Sequence, residues 1–270
     1  MTEPATYIHG HHDSVLRSHR WRTVDNSAAY LRPHLRPGIL LLDVGCGPGT
    51  ITAELADLVA PGEVTGIDRA GDVLDEARAA VAGRTNATIA EGDVMALAAP
   101  DDSYDVVHAH QVLQHLPDPV GALREVARVC RPDGLIAIRD VVYESMTWFP
   151  ESPGIARWLE LYLAVARSTG GAPDAGRRLR SWVREAGCTE VGSGGDAWVY
   201  TTEEDRRWWG SLWADRVVDS SFATEALRLG LADPAELQEL SATWRDWAAE
   251  PDGWFAMLHG WILARPAASV

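Results

Sequence analysis

The chain contains no lysine. All 24 basic side chains are arginine, set against 39 acidic ones, for a net charge of −15 over 270 residues. Schiff-base and lysine-base mechanisms are thereby excluded. With so acidic a balance there is no basic stripe to neutralise phosphates, so nucleic acid is not an expected substrate. Cysteine is scarce too. Cys46, Cys130 and Cys188 are odd in number and lack Cys-x-x-Cys spacing. That argues against a disulfide scaffold or a zinc site and for a reduced, cytoplasmic location. No apolar run approaches the length of a membrane span. The polar start of the chain, with its His and Asp, does not read as a signal peptide. Absent lysine with abundant alanine points, on composition alone, to a GC-rich bacterial genome such as that of an actinobacterium.

What is present is concentrated in Leu41-Leu42-Asp43-Val44-Gly45-Cys46-Gly47-Pro48-Gly49. The apolar residues 39–42 read as a buried parallel strand. Glycines follow at once, and residues 51–56 read as the first turns of a helix. Gly45 and Gly47 let the backbone approach a ligand with no Cβ in the way. The N–H groups of the helix start face the same crevice. A dinucleotide fingerprint needs its third glycine at position 50, where the chain has Thr50. The pattern is instead Asp-x-Gly-x-Gly-x-Gly. A carboxylate at Asp43 disfavours pyrophosphate and suits a ligand carrying ammonium and sulfonium charge. This stretch resembles motif I of the class I S-adenosylmethionine-dependent methyltransferases.

The next hundred residues carry the resemblance further. Val64-Thr65-Gly66-Ile67-Asp68 reads as a second strand ending in an acid, 19 residues beyond Gly49. The resemblance implies that Asp68 takes both ribose hydroxyls, with Arg69 beside it. The alternative for Asp68 is an N-cap for a helix over residues 72–81. Residues 87–94 read as a third strand and its exit. There the resemblance implies Asp93 for the adenine amino group and Val94 for the ring, against an ordinary Gly-Asp turn. Residues 104–109 read as a fourth strand, and His110-Gln111-Val112-Leu113-Gln114-His115 follows it. This region is similar to the ubiquinone/menaquinone-type branch of the family. The resemblance implies that Ala109, His110, Gln111 and His115 flank the methionine part of the cofactor, with Asp43, Gly45, Cys46 and Gly47 from motif I. Residues 123–129 form an amphipathic helix, and residues 135–140 a fifth strand.

Strands alternating with helices predict an α/β, doubly wound, Rossmann-like and mainly parallel seven-stranded sheet, with the ligand at the strands' carboxyl ends. An N-terminal helical cap is expected over residues 1–37, helical to about Leu35. A core is expected over 38–202 and 251–270, and a helical lid inserted over 203–250, too long for a loop. Residues 143–180 read as helices. Residues 189–191 and 197–200 read as the sixth strand, and residues 254–264 as an antiparallel edge strand. Family members with such caps place a tyrosine near the start, which makes Tyr7 and His12 lid candidates. His9, His11 and His12 lie close together, but their spacing does not favour a metal over a capped turn, and no metal is expected.

Eleven of the twelve tryptophans lie after residue 147. They read either as packing for a helical layer or as an aromatic substrate chamber. S-adenosylmethionine is the cofactor implied, and a small-molecule methyl acceptor the partner. Oxygen, nitrogen and carbon acceptors stay open, as does a homodimer. Methyl transfer from a sulfonium needs alignment more than a strong base. Where the acceptor must lose a proton, His115 and His110 are the catalytic candidates; the alternative is that they pack or contact cofactor. Two other readings stand behind methyl transfer. One is a cyclisation or other non-methyl reaction on the same fold. The other is a nicotinamide oxidoreductase, disfavoured by Asp43 and Thr50.

Overall fold

The structure, a computed structural model, describes residues 13–267. Helices α1 (Asp13–Arg20) and α2 (Val24–Ser27) lead into strand β1 (Leu41–Val44), α3 (Thr50–Val59), β2 (Val64–Asp68), α4 (Gly71–Ala80) and β3 (Ala87–Glu91). Then come β4 (Tyr104–His110), α5 (Pro119–Val129), β5 (Cys130–Phe149), α6 (Pro153–Ser168), α7 (Leu179–Glu185) and β6 (Thr189–Tyr200). Three helices, α8 (Glu203–Asp219), α9 (Ser221–Arg228) and α10 (Pro234–Ala249), precede β7 (Trp254–Arg265).

The strands form one seven-stranded sheet in the order β3-β2-β1-β4-β5-β7-β6. The first five are mutually parallel, and β7 runs antiparallel to both neighbours. The chain is thus a doubly wound α/β fold. The crevice beyond the carboxyl ends of β1 and β4 lies at its topological switch point, where such sheets bind ligands. Among the described residues no helix is long and apolar enough to cross a membrane.

Three expectations need correcting. First, β7 is not the edge strand; it lies between β5 and β6. Its residues are mostly buried, whereas the glycine-rich stretch of β6 is largely exposed. An apolar strand buried on both faces needs a neighbour on each side. Second, residues 143–149 are not helical. They prolong β5, because β7 continues to pair with it as far as Phe149↔Trp254. The helix starts only at Pro153, where Ser152 caps it by accepting the Ile155 N–H. Third, the segment before Leu35 is not one helix. It breaks into α1, α2 and a 3-10 turn at Arg32–His34. Thr23 and Asn26 close a capping box at the start of α2.

The extended halves of β5, β7 and β6 carry α6, α8 and α10. Between them lies an aromatic core in which Trp158, Tyr162, Trp213, Trp244 and Phe255 are fully buried. Trp158 meets Trp213 and Trp244 edge-on, with ring centroids 4.4 and 4.9 Å apart. Helix α2 is pinned to this half by Trp198, whose Nε1 donates to Asn26 O at 2.7 Å.

Candidate active site

A cavity of about 390 Å³ opens at the carboxyl ends of β1–β4 and runs beneath α1 toward α8. Its inner wall is the glycine loop after β1. Gly45 and Gly47 both have positive φ, 67° and 52°. A Cβ on Gly47 would meet nothing closer than His19 Nδ1 at 3.8 Å, so its face is open to the cavity. A Cβ on Gly45 would strike Val112 Cγ2 at 2.5 Å. The loop is held by β2: the Cys46 N–H donates to Ile67 O, and the Gly47 N–H to Asp68 Oδ2, both at 2.9 Å.

Asp68 also accepts the Ala70 N–H, at 3.0 Å. Ala70 is the N-cap residue of α4 and no side chain caps that helix, so Asp68 is not the helix cap. Its carboxylate borders the cavity, as does Arg69. Asp93 and Val94 border it from the exit of β3. One Asp93 oxygen accepts the Met95 N–H at 2.9 Å, the local turn that Gly-Asp pairs favour.

Two expectations shift here. Asp43 borders the cavity but is 2% exposed. Its Oδ2 accepts from the Thr52 hydroxyl at 2.5 Å, and its Oδ1 meets His108 Nδ1 at 2.7 Å. The carboxylate therefore braces β1 against α3 and β4 beneath the loop, rather than turning wholly toward a ligand cation. Ala109 does not line the cavity: its side chain is buried in the core under β4. Strand alternation turns its neighbour His110 to the ligand side.

At the end of β4 the backbone is strained. Gln111 is a non-glycine residue with φ of 54°, a costly conformation that persists only where surrounding contacts hold it. Three contacts fix it. Its N–H donates to Arg139 O at 2.7 Å, its Oε1 accepts from Arg22 at 2.7 Å, and its Nε2 meets His259 Nε2 at 2.8 Å. Gln111 thus joins the cap, β4, β5 and β7 at one point.

His110 is buried, with Nε2 lacking a partner among the described residues. Burial, then the charges of Arg139 and Arg22, hold it well below its ordinary pKa. His115 is half-buried on the 3-10 turn Leu113–His115; burial and the Arg22 charge push its pKa down to about 3. In both rings burial disfavours the charged imidazolium. The 3-10 turn hangs on Asp140, whose Oδ2 accepts the Leu113 N–H at 3.1 Å. Burial pushes the Asp140 carboxyl up to about 7.

The cap and lid candidates fare differently. Tyr7 and His12 lie outside the described residues. The residues of the N-terminal segment that do line the cavity, Ser18, His19 and Arg22, were not anticipated. The arginine-rich run Arg17 to Arg22 was a signal available for them. Nor were Gln114, Tyr143, Trp198, Met257 and Arg216, which reach the cavity from β5, β6, β7, α8 and the turn after β4. No local motif marks them, because tertiary packing alone assembles them. Of the tryptophans, Trp198 and Trp209 line the cavity. Trp208 instead packs beside Trp21, with ring centroids 5.4 Å apart. Trp158, Trp213 and Trp244 are core.

These residues fit an adenosyl ligand. The cavity offers an open glycine face, the Asp68 carboxylate, the Asp93–Val94 pair, and two buried acceptor or donor atoms without partners among the described residues, His110 Nε2 and Gln114 Oε1. Comparison with known proteins agrees. Residues 42–138 match a methyltransferase domain family. An uncharacterized methyltransferase of Schizosaccharomyces pombe is 31% identical over 97% of this chain and 97% of its own length. A demethylmenaquinone methyltransferase of Staphylococcus aureus is 35% identical over 43% of this chain and 49% of its own. Among solved structures, the cyclase SpnF shares the fold, with a TM-score of 0.52 at 20% identity over 98% of this chain and 90% of its own. With sequence kinship along its full length and a cavity suited to the cofactor, the chain belongs to the class I S-adenosylmethionine-dependent methyltransferases.

Proposed function

We propose that this enzyme methylates a small molecule held in the cap-side half of the cavity, against Tyr143, Trp198, Trp209 and Met257. The observation that carries the reading is continuity: one cavity runs from the glycine loop to that aromatic wall. In this reading Asp68 accepts the ribose hydroxyls, Asp93 the adenine amino group, and Val94 packs on the ring. Gly45, Cys46 and Gly47 follow the backbone of the cofactor, with Arg69 beside the adenosine. His110, Gln111 and His115 flank its methionine part. Residues 1–37 act as a cap and 203–250 as a lid on a core formed by 38–202 and 251–270.

The cofactor, when bound, supplies an activated methyl and a neutral thioether leaving group. The protein's part is alignment and exclusion of water, worth roughly 7–11 kcal/mol of the barrier. His110 and His115, in whose rings burial disfavours the charged imidazolium, donate or accept hydrogen bonds to the acceptor and leave it little help in losing a proton. An acceptor that is already nucleophilic suits such a site.

The test is incubation with methyl-labelled cofactor and a panel of small amines, phenols and acidic carbon compounds. Label appearing in product, with matching release of S-adenosylhomocysteine, is the expected result. A compound consumed with no change of mass would replace methyl transfer with a cyclisation or other isomerisation.

A further inference from the structure

The proton on the His110 ring is placed from behind, by Arg139. This arginine is fully buried and stands beside His110 on the next strand. Its Nε donates to Asp196 Oδ2 at 3.1 Å and its Nη2 to Asp196 Oδ1, which pins the guanidinium to β6. The guanidinium also lies 5.0 Å from the centre of the Trp198 ring. Its third nitrogen, Nη1, meets His110 Nδ1 at 3.5 Å. A guanidinium has donors only, so Nδ1 is the accepting nitrogen. Burial disfavours the charged ring, and in the neutral one the proton then sits on Nε2. That N–H has no partner among the described residues. His110 lines the cavity, with its ring 5.8 Å from that of Trp198. His259 is set by the same device. Arg22 donates to Gln111 Oε1, which turns the Gln111 amide nitrogen to donate to His259 Nε2.

The lone pair that a general base needs is therefore taken by Arg139. What His110 offers a ligand is a hydrogen-bond donor. A buried N–H left unmatched is costly, and a charged oxygen matches it best. With no base on this ring, the acceptor must meet the methyl group already nucleophilic. An amine nitrogen has a single lone pair and would spend it on the N–H. A phenolate or enolate oxygen has lone pairs to spare, so it accepts the hydrogen bond and still reacts. Its own proton goes to water. An electron pair of the anion forms the bond to the methyl carbon, and the pair of the breaking carbon–sulfur bond stays on the thioether.

We infer that Arg139 is a positioning residue that fixes His110 as a hydrogen-bond donor through Nε2, and that this donor is met by the oxygen of a methyl acceptor bound as its anion, a phenolate or enolate. This rests on assigning the aromatic half of the cavity, with Trp198 in its wall, to the acceptor. It adds the acceptor's reacting group and the residues that read it.

The experiment is a pair of measurements on the full chain saturated with S-adenosylhomocysteine. The first is nitrogen NMR of protein labelled in its histidine rings, with the His110 signals identified by their loss in His110→Phe. A protonated Nε2 and a bare Nδ1 are expected; the reverse tautomer, or an imidazolium at neutral pH, overturns the inference. The second is the absorbance of bound 4-nitrophenol and 7-hydroxycoumarin, whose phenol and phenolate forms have separate spectra. The ratio of phenolate to phenol should be about tenfold higher bound than free in the same buffer, because a charge-assisted hydrogen bond is roughly twice as strong as a neutral one. His110→Phe should erase that gain. Arg139→Gln should mix the two tautomers of His110 and shrink the gain. Arg139→Lys, which keeps a charged donor, should restore part of both, a recovery that a merely structural arginine would not give. Asp196→Asn loosens the guanidinium from a half-exposed position and should act in the same direction, which covers the case in which Arg139→Gln fails to fold. No gain with either probe, or no saturable binding of either, overturns the inference. So does a gain that survives in His110→Phe, because the N–H would then serve something other than the acceptor. Neither measurement needs turnover. Failure to transfer a methyl group would defeat the proposed reaction and leave this assignment to stand or fall by itself.

Discussion

Single side chains in this site do more than one job. Asp68 borders the cavity and also accepts the N–H groups of Gly47 and Ala70, so it shapes the loop it serves. Asp68→Ala is expected to cost about 1.5–3 kcal/mol of cofactor binding, roughly 10- to 150-fold in affinity. Calorimetry with S-adenosylhomocysteine measures it; unchanged affinity in a folded variant would remove Asp68 from the ribose role. His115 makes the opposite kind of prediction. A histidine acting as general base contributes about 10²–10⁴ in turnover, with an inflection near its pKa. At a pKa of about 3, His115 stays neutral throughout the physiological range. His115→Ala is therefore expected to slow turnover by less than about tenfold, and the rate profile of the parent enzyme to show no histidine inflection between about pH 5 and 8. A loss in the hundreds, with such an inflection, would restore His115 as the base.

Among the elements, the 3-10 turn at Leu113–His115 rests on a group whose pKa is raised by burial. It carries Gln114 and His115 into the cavity and is anchored from below by Asp140. The folded state raises the Asp140 pKa from 3.8 to about 7. The folded protein thus holds this proton more tightly than the unfolded chain. The stability it contributes is complete below the unfolded pKa and is lost as pH rises through about 7. Asp140→Asn keeps an oxygen for the Leu113 N–H and removes the titration. Its melting temperature should fall less than that of the parent between about pH 5 and 8. Parallel melting curves for the two proteins across that range would show that Asp140 ionises as an ordinary carboxylate. On the other side of the cavity, α8 is tied to α1 by Arg17–Asp215 at 2.5 Å and by Arg216–Ser18.

At the scale of the whole molecule, two halves of one sheet divide the work. The parallel half carries the glycine loop and the acids. The half extended by β5, β7 and β6 carries the aromatic layer of α6, α8 and α10. Tryptophans in that layer should separate into two phenotypes. Trp213→Ala removes a fully buried ring from the centre of the aromatic core and should cost about 3–5 kcal/mol of stability, with little change in cofactor affinity in the folded fraction. Trp209→Ala removes cavity wall and should raise the acceptor's KM more than it weakens cofactor binding. Thermal melts and paired measurements of cofactor Kd and acceptor KM distinguish them. Loss of cofactor and acceptor binding in step in Trp209→Ala would mean that this ring, too, is only packing.

How much of this was legible beforehand follows from the range over which each feature is determined. The strand, glycine loop and helix after Leu41, the acid at the end of β2 and the Gly-Asp exit of β3 are local. Burial periodicity, turn chemistry and short-range spacing specify them, so the sequence alone determined the parallel half and its cofactor motifs. The position of β7 could not be read that way. It depends on which strand needs covering on both edges, and that is known only once the exposure of β6 is known. The continuation of β5 past Asp140 required β7 as its partner. Asp43 could be read as an acid near the ligand, but its engagement with His108 joins residues 65 apart in the chain. Arg22, Tyr143, Trp198 and Arg216 meet only because α1 and α8 close over the sheet from opposite ends of the sequence. A site wall built from long-range contacts leaves no periodic trace. The glycine-loop side of the cavity was therefore written in local sequence, and its aromatic side was decided by tertiary packing.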